Sequence, residues 1–506
     1  MFKKFNLKKF LILGIVFSML FSMTACKNSG NKNDGDANAS RDVDSEPYEI
    51  VWVFPVAPPN DVDMVCEKVN EYLKDKINVT VKLTPLDWGA YGTKMKNALN
   101  GGDKVDLLWM SGADYTDAAT LQSIIEIDEL MDKYAPETKK MLGESFIDGA
   151  KVGGKLYGVQ ANKDKAASHM IVYRKDIAEK YNLDLSNVKS IEDLYPVFDI
   201  LLEKEPSMIP MAISGGKTVY DANMEMNGYD SLGGNKFVHV MTGENDDVSK
   251  IVCPYETEIF KKSCEQAYEM YQKGYFSKDC AVLDNATELI KSGKAFCYWE
   301  QDQPSKLSEI NNSSSYEWEK ISMTEPTMRT IDCVGSITTI PYTCENPERV
   351  MKFIELFNTD PYLNNLINFG IEDVHFDKIS DNIIQITEKG KSGYDLQSTM
   401  WERGNTFINY TVEGDDPDKA KKLEAFNESA KISPLVGFIL DTEEFSVEAT
   451  ACSNVVSEYL RTLTYGAGNP DELLPQFISK LKSAKIDSIV ESSQKQYDEW
   501  RERVKK

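Results

Sequence analysis

Aromatic side chains stand beside polar ones at the predicted ends of strands and in the turns that follow them. The candidate binding residues with this placement are Trp88, Trp109, Asp114, Tyr115, Gln160, Asn162, Trp299, Glu300, Asp302, Trp401, Arg403 and Asn405. An aromatic ring can stack on an apolar face of a ligand, whereas carboxylate, amide and guanidinium groups hydrogen-bond to its polar edge. These residue types point to noncovalent capture of a small polar ligand.

Each candidate also has a structural alternative. For Trp88 and Trp109 it is a place in the core, and for Asp114 and Tyr115 it is helix capping near Thr116 and Asp117. For Trp401, Arg403 and Asn405 it is a capped surface turn. The amides of the Gln160 segment have the alternative of satisfying backbone groups. Aromatic counts decide nothing here, because most aromatic residues are core residues.

The residue patterns of metal, redox and catalytic sites are absent from the sequence. The histidines, His169, His239 and His375, are far apart, and no two cysteines form a Cys-x-x-Cys pair. Zinc-site and redox spacings are therefore absent, as are a serine nucleophile elbow and a phosphate loop. We expect no metal, no cofactor and no catalytic residue. Acidic pairs such as Glu300 and Asp302 occur by chance among 81 acidic residues, so a glycoside hydrolase stays only a remote alternative.

Size and charge narrow the class of protein. A chain of 506 residues predicts two to four domains. Its net charge of -24 and pI near 4.7 argue against a nucleic-acid partner, because binding to phosphates needs clustered Lys and Arg.

The N-terminus reads as an export signal. Basic residues precede an apolar stretch from Phe10 to Met23, and the stretch ends at Ala25-Cys26. This end resembles the signal of bacterial lipoproteins, which implies that residues 1–25 are removed and that Cys26 is acylated. Residues 26–47 are mostly small and polar, and they predict a flexible tether. The remaining eight cysteines permit disulfides, but we expect most of them to be buried as small hydrophobic residues.

Strand and helix signals alternate in the N-terminal third of the chain. Predicted strands at Tyr48–Phe54, Val79–Leu83 and Val105–Met110 are separated by segments with apolar residues at helical spacing. This pattern is typical of a mostly parallel sheet covered by helices. The sequence therefore predicts an α/β fold.

The order of the segments resembles the extracellular solute-binding proteins of bacterial ABC importers, in particular the maltodextrin-binding-like group. Four segments carry the resemblance: the lipoprotein start with its first strand and helix, the stretch from Asp87 to Trp109 with its Gly101-Gly102 turn, the Gly153–Val159 hairpin, and Leu289–Trp299 followed by Ile337–Phe357. Residues 433–438 and the helices after them are similar to the C-terminal extension of a lipoprotein subset usually assigned to oligosaccharides.

The resemblance implies two lobes of discontinuous chain, joined by crossing strands, with ligand in the cleft. We expect residues 48–160 and 284–341 in the first lobe, and residues 161–283 and 342–506 in the second, which is mostly helical and carries the extension. The resemblance also implies that Trp299 faces the ligand and that the Trp401–Asn405 turn faces the cleft from the second lobe.

The function expected from the resemblance is capture of a carbohydrate by hinge closure. The implied partners are an oligosaccharide, an ABC permease and the lipid bilayer on the outer face of the cell membrane, bound through acylated Cys26. We expect a monomer. A receptor of the same fold for a peptide or another small solute is the alternative.

Overall fold

The computed structural model describes residues 47–214, 216–282 and 286–504. The predicted signal peptide, Cys26 and the tether up to residue 46 lie outside the described residues. Among the helices that are described, none is long and apolar enough to cross a membrane.

The strands are short except where they form the two main sheets. In chain order they are β1 (Tyr48–Pro55), β2 (Val79–Leu86), β3 (Leu107–Met110), β4 (Gly158–Gln160), β5 (Ser168–Arg174), β6 (Ile209–Ala212), β7 (Tyr229–Asp230), β8 (Val240–Met241), β9 (Ala295–Asp302), β10 (Trp318–Ser322), β11 (Thr327–Met328), β12 (Ile337–Thr339), β13 (Phe376–Lys378), β14 (Ile383–Ile386), β15 (Thr411–Val412) and β16 (Lys431–Ile432).

Helices cover these sheets and dominate the C-terminus. They are α1 (Val62–Ile77), α2 (Trp88–Leu99), α3 (Gly112–Thr120), α4 (Asp128–Tyr134), α5 (Pro136–Leu142), α6 (Glu144–Asp148), α7 (Lys175–Lys180), α8 (Tyr195–Lys204), α9 (Val219–Asn227), α10 (Glu258–Lys273), α11 (Thr287–Lys291), α12 (Lys306–Asn312), α13 (Thr330–Cys333), α14 (Pro347–Thr359), α15 (Pro361–Phe369), α16 (Glu388–Gly393), α17 (Lys419–Ser429), α18 (Ser446–Thr464), α19 (Pro470–Ser483) and α20 (Ile486–Val504). Short 3-10 turns lie at Glu192–Leu194, Pro254–Glu256, Gln397–Glu402, Thr406–Ile408 and Glu443–Phe445.

The first lobe is built on a sheet with strand order β2-β1-β3-β12-β4. β1 pairs in parallel with β2 and β3, whereas β12 runs antiparallel to β3 and β4. Buried and partly exposed side chains alternate along β2, as expected for a strand with one face on the core. The carboxyl ends of β1, β2 and β3 therefore meet at one edge, which confirms the predicted α/β lobe.

The second lobe is built on a sheet with strand order β10-β5-β9-β6. Its α10 begins at Thr257, whose hydroxyl accepts a hydrogen bond from the Phe260 backbone N–H, and ends at Gly274 in the left-handed conformation. Helices α18, α19 and α20 pack on this lobe, because Cys452, Phe477 and Tyr497 share a buried cluster with Phe260 of α10. The C-terminal helices therefore extend the second lobe.

The predicted lobe boundaries are wrong in two places. The range 284–341 was assigned to the first lobe, yet β9 pairs with β5 and β6 in the second sheet. The range 342–506 was assigned to the second lobe, yet Val350 and Phe353 of α14 lie in the buried core of the first. The physical reason is that a fully buried strand such as Ala295–Trp299 suits the centre of either sheet. The chain returns to the first lobe only after β10, and leaves it again after α17.

Three crossing segments join the lobes: residues 161–167, 323–336 and 430–434. The backbones of Ala167 and Thr327 exchange two hydrogen bonds of 2.9 and 3.1 Å, and β11 pairs in parallel with β16. The three segments therefore form one continuous hydrogen-bonded ribbon between the lobes.

The cysteine prediction is confirmed in the described chain. The eight cysteines there are free, and six of them are buried.

Candidate functional site

A cavity of about 580 Å³ lies in the second lobe, beside the second crossing segment. It opens at the edge of the sheet where β5 begins and β9 ends, so that His169 and Gln301, which are paired across these strands, both line it. Helix α9 and the turn after it contribute Tyr220, Glu225 and Tyr229 to the lining. A cavity of this size and position can hold a small ligand between the lobe and its hinge.

Aromatic side chains form much of the cavity wall. Tyr220, Tyr229 and Tyr255 line it from three different segments. The rings of Tyr229 and His239 lie 5.0 Å apart with an angle of 30° between their planes. The wall therefore combines flat apolar faces with phenol and imidazole edges that can hydrogen-bond.

An ion-pair network occupies one side of the cavity. Arg329 donates from Nη1 to the Glu225 carboxylate at 2.8 Å, and its Nε lies 3.8 Å from the Asp332 carboxylate. The Tyr229 hydroxyl donates to the other Glu225 oxygen at 3.2 Å, and His169 Nδ1 lies 3.4 Å from Glu225. Two carboxylates thus share one guanidinium within the cavity.

Burial sets the charge state of the titratable groups in the cavity. It lowers the pKa of His239 to about 4 and also lowers the pKa of His169. Burial raises the pKa of Asp332 to about 6, against the opposing effect of Arg329. Both histidines are therefore neutral near pH 7, where Asp332 is still mostly ionised.

A tryptophan cluster lies at the carboxyl edge of the first sheet. Trp88 and Trp401 are 52% and 39% exposed, and their rings are nearly parallel, at 11°, with centroids 6.5 Å apart. Trp109 meets both edge-on, at 5.2 and 6.1 Å. Trp109 is held from behind, since its Nε1 donates to Ser336 Oγ at 2.9 Å and its carbonyl accepts from the Tyr91 hydroxyl. The cluster presents two indole faces to solvent from a fixed base.

A buried ion pair supports the turn that carries Trp401. Arg403 donates to the carbonyl of Leu396 at 3.0 Å and to the Glu402 carboxylate at 3.1 Å, and its guanidinium lies 4.5 Å from the centre of the Phe54 ring. Burial raises the pKa of Glu402 above its ordinary value. Arg403 therefore positions the turn and is too deeply buried to contact a ligand.

The cavity and the tryptophan cluster both adjoin the second crossing segment. Ser336 of that segment holds Trp109, and Arg329 and Asp332 of the same segment line the cavity. A Cβ atom on Gly112, which follows β3, would lie 3.4 Å from the carbonyl oxygen of Gly233 in the loop beside the cavity. The two surfaces thus adjoin one crossing segment, and the loop after β3 lies close to the loop beside the cavity.

Asp230 fastens the crossing segments to the second lobe. Its buried carboxylate accepts hydrogen bonds from the backbone N–H groups of Leu232 (3.0 Å) and Thr330 (3.1 Å), from the Thr330 hydroxyl, and from the Ser433 hydroxyl (2.6 Å). Thr330 belongs to the second crossing and Ser433 to the third. One carboxylate thus ties two crossings to the rim of the cavity.

The structure brings together the predicted tryptophans of the first lobe and buries several other candidates. Trp88, Trp109 and Trp401 form the cluster, although the Trp401 turn was expected to belong to the second lobe. Asp114 is exposed on α3. The side chains of Tyr115, Gln160, Asn162 and Asn405 are buried and hydrogen-bonded within the protein. The structure therefore favours the structural alternative for these four residues.

The predicted group after β9 also differs from expectation. Trp299 is only 1% exposed and lies under His169, with ring centroids 5.6 Å apart and 9° between the planes. Glu300 pairs with Lys217 at 2.5 Å, and Asp302 pairs with Lys320 at 2.7 Å. Trp299 lies on the same face of the sheet as Gln301, because side chains two residues apart in a strand share a face, but the His169 ring covers it, so Trp299 lies beneath the cavity wall.

Sequence reasoning missed most of the cavity residues. They are Tyr220, Glu225, Tyr229, His239, Tyr255, Gln301, Arg329 and Asp332. His169 was interpreted as a structural residue, yet it lines the cavity. One sequence signal could have indicated the cavity. The Arg329–Asp332 segment lies shortly before the predicted strand at Ile337, where the chain crosses between the lobes, and charged residues in a crossing segment are candidates for the cleft.

Comparisons with known proteins agree with this geometry. Residues 65–252 match the family model of the bacterial extracellular solute-binding proteins, and residues 434–502 match a domain of unknown function (DUF3502). A carbohydrate ABC transporter substrate-binding protein of Streptococcus pneumoniae is 27% identical over 496 residues, which cover 96% of each chain.

Solved structures show the same two-lobed fold. The N-glycan transport solute-binding protein NgtS of Streptococcus pneumoniae superposes with a TM-score of 0.80 at 25% identity, covering 90% of this chain and 99% of that one. The same protein in complex with Man5GlcNAc superposes with a TM-score of 0.71 over the same shares of the two chains.

Proposed function

We propose that this chain is a bacterial extracellular solute-binding protein that captures an oligosaccharide between its lobes and delivers it to an ABC importer, because residues 65–252 match that family model and its relatives share the fold. The relatives support the ligand class, since one is named for carbohydrate transport and another is described in complex with Man5GlcNAc. The importer follows from the family.

The observation that carries the proposal is the presence of two complementary surfaces, one on each lobe, that adjoin the same crossing segment. A sugar ring has apolar C–H faces and hydroxyl edges, so its site needs flat aromatic groups and paired donors and acceptors. The exposed faces of Trp88 and Trp401 supply stacking surface in the first lobe. The tyrosines, Gln301 and the Glu225–Arg329 network supply both kinds of contact in the second.

Closure couples these surfaces to transport. A ligand shifts the equilibrium between open and closed lobes only by as much as it binds one state more tightly. A saccharide that touches the tryptophans and the cavity together gains contacts only when the lobes approach. The hydrogen-bonded ribbon of three crossings is the hinge on which they turn.

We further propose that the chain acts as a monomer anchored to the outer face of the cell membrane through acylated Cys26. The export signal and the small polar residues after Cys26 support this arrangement. Two or more acyl chains give stable anchoring, at about 0.8 kcal/mol for each buried CH2 group.

Ligand binding without turnover is the expected outcome in a direct test. A thermal-shift screen compares maltopentaose, mannopentaose, cellopentaose and Man5GlcNAc with peptides, and calorimetry measures the affinity of each hit. A ligand at 100 times its Kd should stabilise the protein by about 2.7 kcal/mol. A response to peptides with silence across the saccharides would contradict the proposal, and so would cleavage of a bound saccharide.

Matched variants locate the binding surface. Trp88→Ala and Gln301→Ala should each weaken saccharide binding, by about tenfold for Trp88, because stacking contributes roughly 1 kcal/mol beyond the burial of its surface. Tyr362→Ala is the control, because Tyr362 is 53% exposed, close to the 52% of Trp88, but lines neither surface. Equal losses for Trp88→Ala and Tyr362→Ala would place the ligand elsewhere.

A further inference from the structure

The positive charge inside the cavity is already engaged by the protein. Arg329 is held by Glu225 at 2.8 Å and faces Asp332 at 3.8 Å, and the exposed fractions of the Arg329 and Glu225 side chains are only 11% and 15%. Glu225 is itself fixed by the Tyr229 hydroxyl. A free guanidinium is the usual partner for a ligand carboxylate, because its fork of donors matches two carboxylate oxygens.

The charge balance of the buried network is negative. Glu225, Arg329 and Asp332 together carry one excess negative charge when ionised, and the two cavity histidines are neutral near pH 7. The remaining cation of the cavity wall, Lys236, is exposed at the rim, where water screens it. A ligand carboxylate in this cavity therefore meets a repulsive field unless it displaces Glu225 from Arg329.

Hydroxyl groups meet no such barrier. Carboxylate oxygens accept hydrogen bonds from neutral hydroxyls, and the guanidinium can still donate to a hydroxyl oxygen. Two like charges about 4 Å apart near a protein surface repel more strongly than one hydrogen bond stabilises, so even a partly screened repulsion outweighs one new hydrogen bond.

We infer, on the basis of the proposed function, that Glu225 is a specificity-determining residue that closes Arg329 to acidic saccharides. The cavity then accepts neutral saccharide units and rejects units that carry a carboxylate, such as uronic acids. Removing the charge of Glu225 opens Arg329 to such units.

The test uses a matched pair of ligands. The neutral pentasaccharide that binds best in the screen is compared with the same compound after oxidation of its primary hydroxyls to carboxylates. The wild-type protein should bind the neutral compound at least about tenfold more tightly by calorimetry at pH 7.5. Glu225→Gln, which keeps the size and one acceptor oxygen, should reduce this preference to about threefold or less.

Glu205→Gln is the matched control. Glu205 also lies in the second lobe, accepts from a tyrosine hydroxyl (Tyr181, 2.7 Å) and pairs with a cation (Lys180, 2.5 Å), but it lies outside the cavity. Glu205→Gln removes the same net charge from the chain as Glu225→Gln does. Because the change lies outside the cavity, it should leave the preference for the neutral compound unchanged. An equal effect of both variants would assign the preference to the overall charge of -24 and overturn the role of Glu225.

Failure of this inference differs from failure of the proposed function. If the wild-type protein binds both compounds equally well, the selectivity is wrong but saccharide capture stands. If it binds neither compound nor any other saccharide, the proposed function fails. If Glu225→Gln does not fold, two measurements still test the inference. The wild-type protein should prefer the neutral compound, and Asp332→Asn should reduce that preference.

Discussion

His239 should make the stability of the folded protein fall steeply between pH 6.5 and pH 4. Its Nε2 lies 3.0 Å from the carbonyl oxygen of Asn235, to which it donates as a neutral ring, while its buried Nδ1 makes no hydrogen bond within the described residues. Burial holds the pKa of His239 at about 4, against about 6.5 in an unfolded chain. The folded state therefore resists the proton that the unfolded state takes up.

The sign and size of the change in folding stability follow from the difference between the pKa of His239 in the folded and unfolded states. Above pH 6.5 the ring is neutral in both states and costs nothing. As the pH falls below 6.5, only the unfolded state is protonated, so stability is lost until the folded ring also titrates near pH 4. At 1.36 kcal/mol per pKa unit, the loss between pH 7 and pH 4.5 is about 2 to 3 kcal/mol.

Denaturant unfolding of the wild-type protein and His239→Gln at both pH values measures this loss. Glutamine keeps an N–H that can donate to Asn235 and does not titrate, so the variant should lose about 2 kcal/mol less stability on acidification. His375→Gln is the comparison. Burial also lowers the pKa of His375, but Asp61, 3.4 Å from its Nε2, favours the proton and should make the effect smaller. An identical pH dependence for wild type and His239→Gln would refute the reasoning.

Three further predictions concern buried polar groups. Asp230→Asn should destabilise the protein by about 1 to 3 kcal/mol, because each carboxylate oxygen accepts a backbone N–H and the amide must turn its own N–H toward one of them. Chemical denaturation should show that Thr330→Ser keeps the stability of the wild-type protein and that Thr330→Val lowers it. Equal stability of these two variants would contradict the role of the hydroxyl. Arg403→Met should cost about 1 to 3 kcal/mol, because it leaves the Leu396 carbonyl and the Glu402 side chain buried without their hydrogen-bond donor. The double variant with Glu402→Gln should recover part of that loss in thermal unfolding, and an additive loss would disprove the coupling.

The first lobe could be predicted from sequence because its signals are local. β1, β2 and β3 each end at a proline, glycine or polar turn close to the predicted position, and helical spacing separates them. The lobe to which a strand belongs, by contrast, is not set by a local sequence signal. β9 is a continuous buried run, and nothing in Ala295–Trp299 states which sheet it completes. The third crossing, at residues 430–434, also leaves no break in composition.

The sequence could predict a site residue only where its place in the chain, directly after a strand, also determines that its side chain is exposed. Trp88 begins a helix directly after a strand, so its ring lies at the sheet edge, where it is exposed. Gln160 and Asn162 also follow a strand signal, yet both are buried: Gln160 donates to the Cys333 carbonyl of the second crossing, and Asn162 donates to the Asn405 side chain. Sequence spacing cannot distinguish an amide that faces a ligand from one that satisfies the hinge.

Asp230 links the cavity wall directly to two of the crossing segments. Ser231, the next residue, lines the cavity, and Thr330, which the carboxylate holds, lies between Arg329 and Ile331 of the cavity wall. The same carboxylate holds Ser433 of the third crossing. A ligand that presses on the cavity wall therefore acts on residues that are hydrogen-bonded directly to two of the three crossing segments. Because these contacts are short and buried, we expect the wall and the crossings to move together, so that the contacts of a bound saccharide with the wall would bias the angle between the lobes.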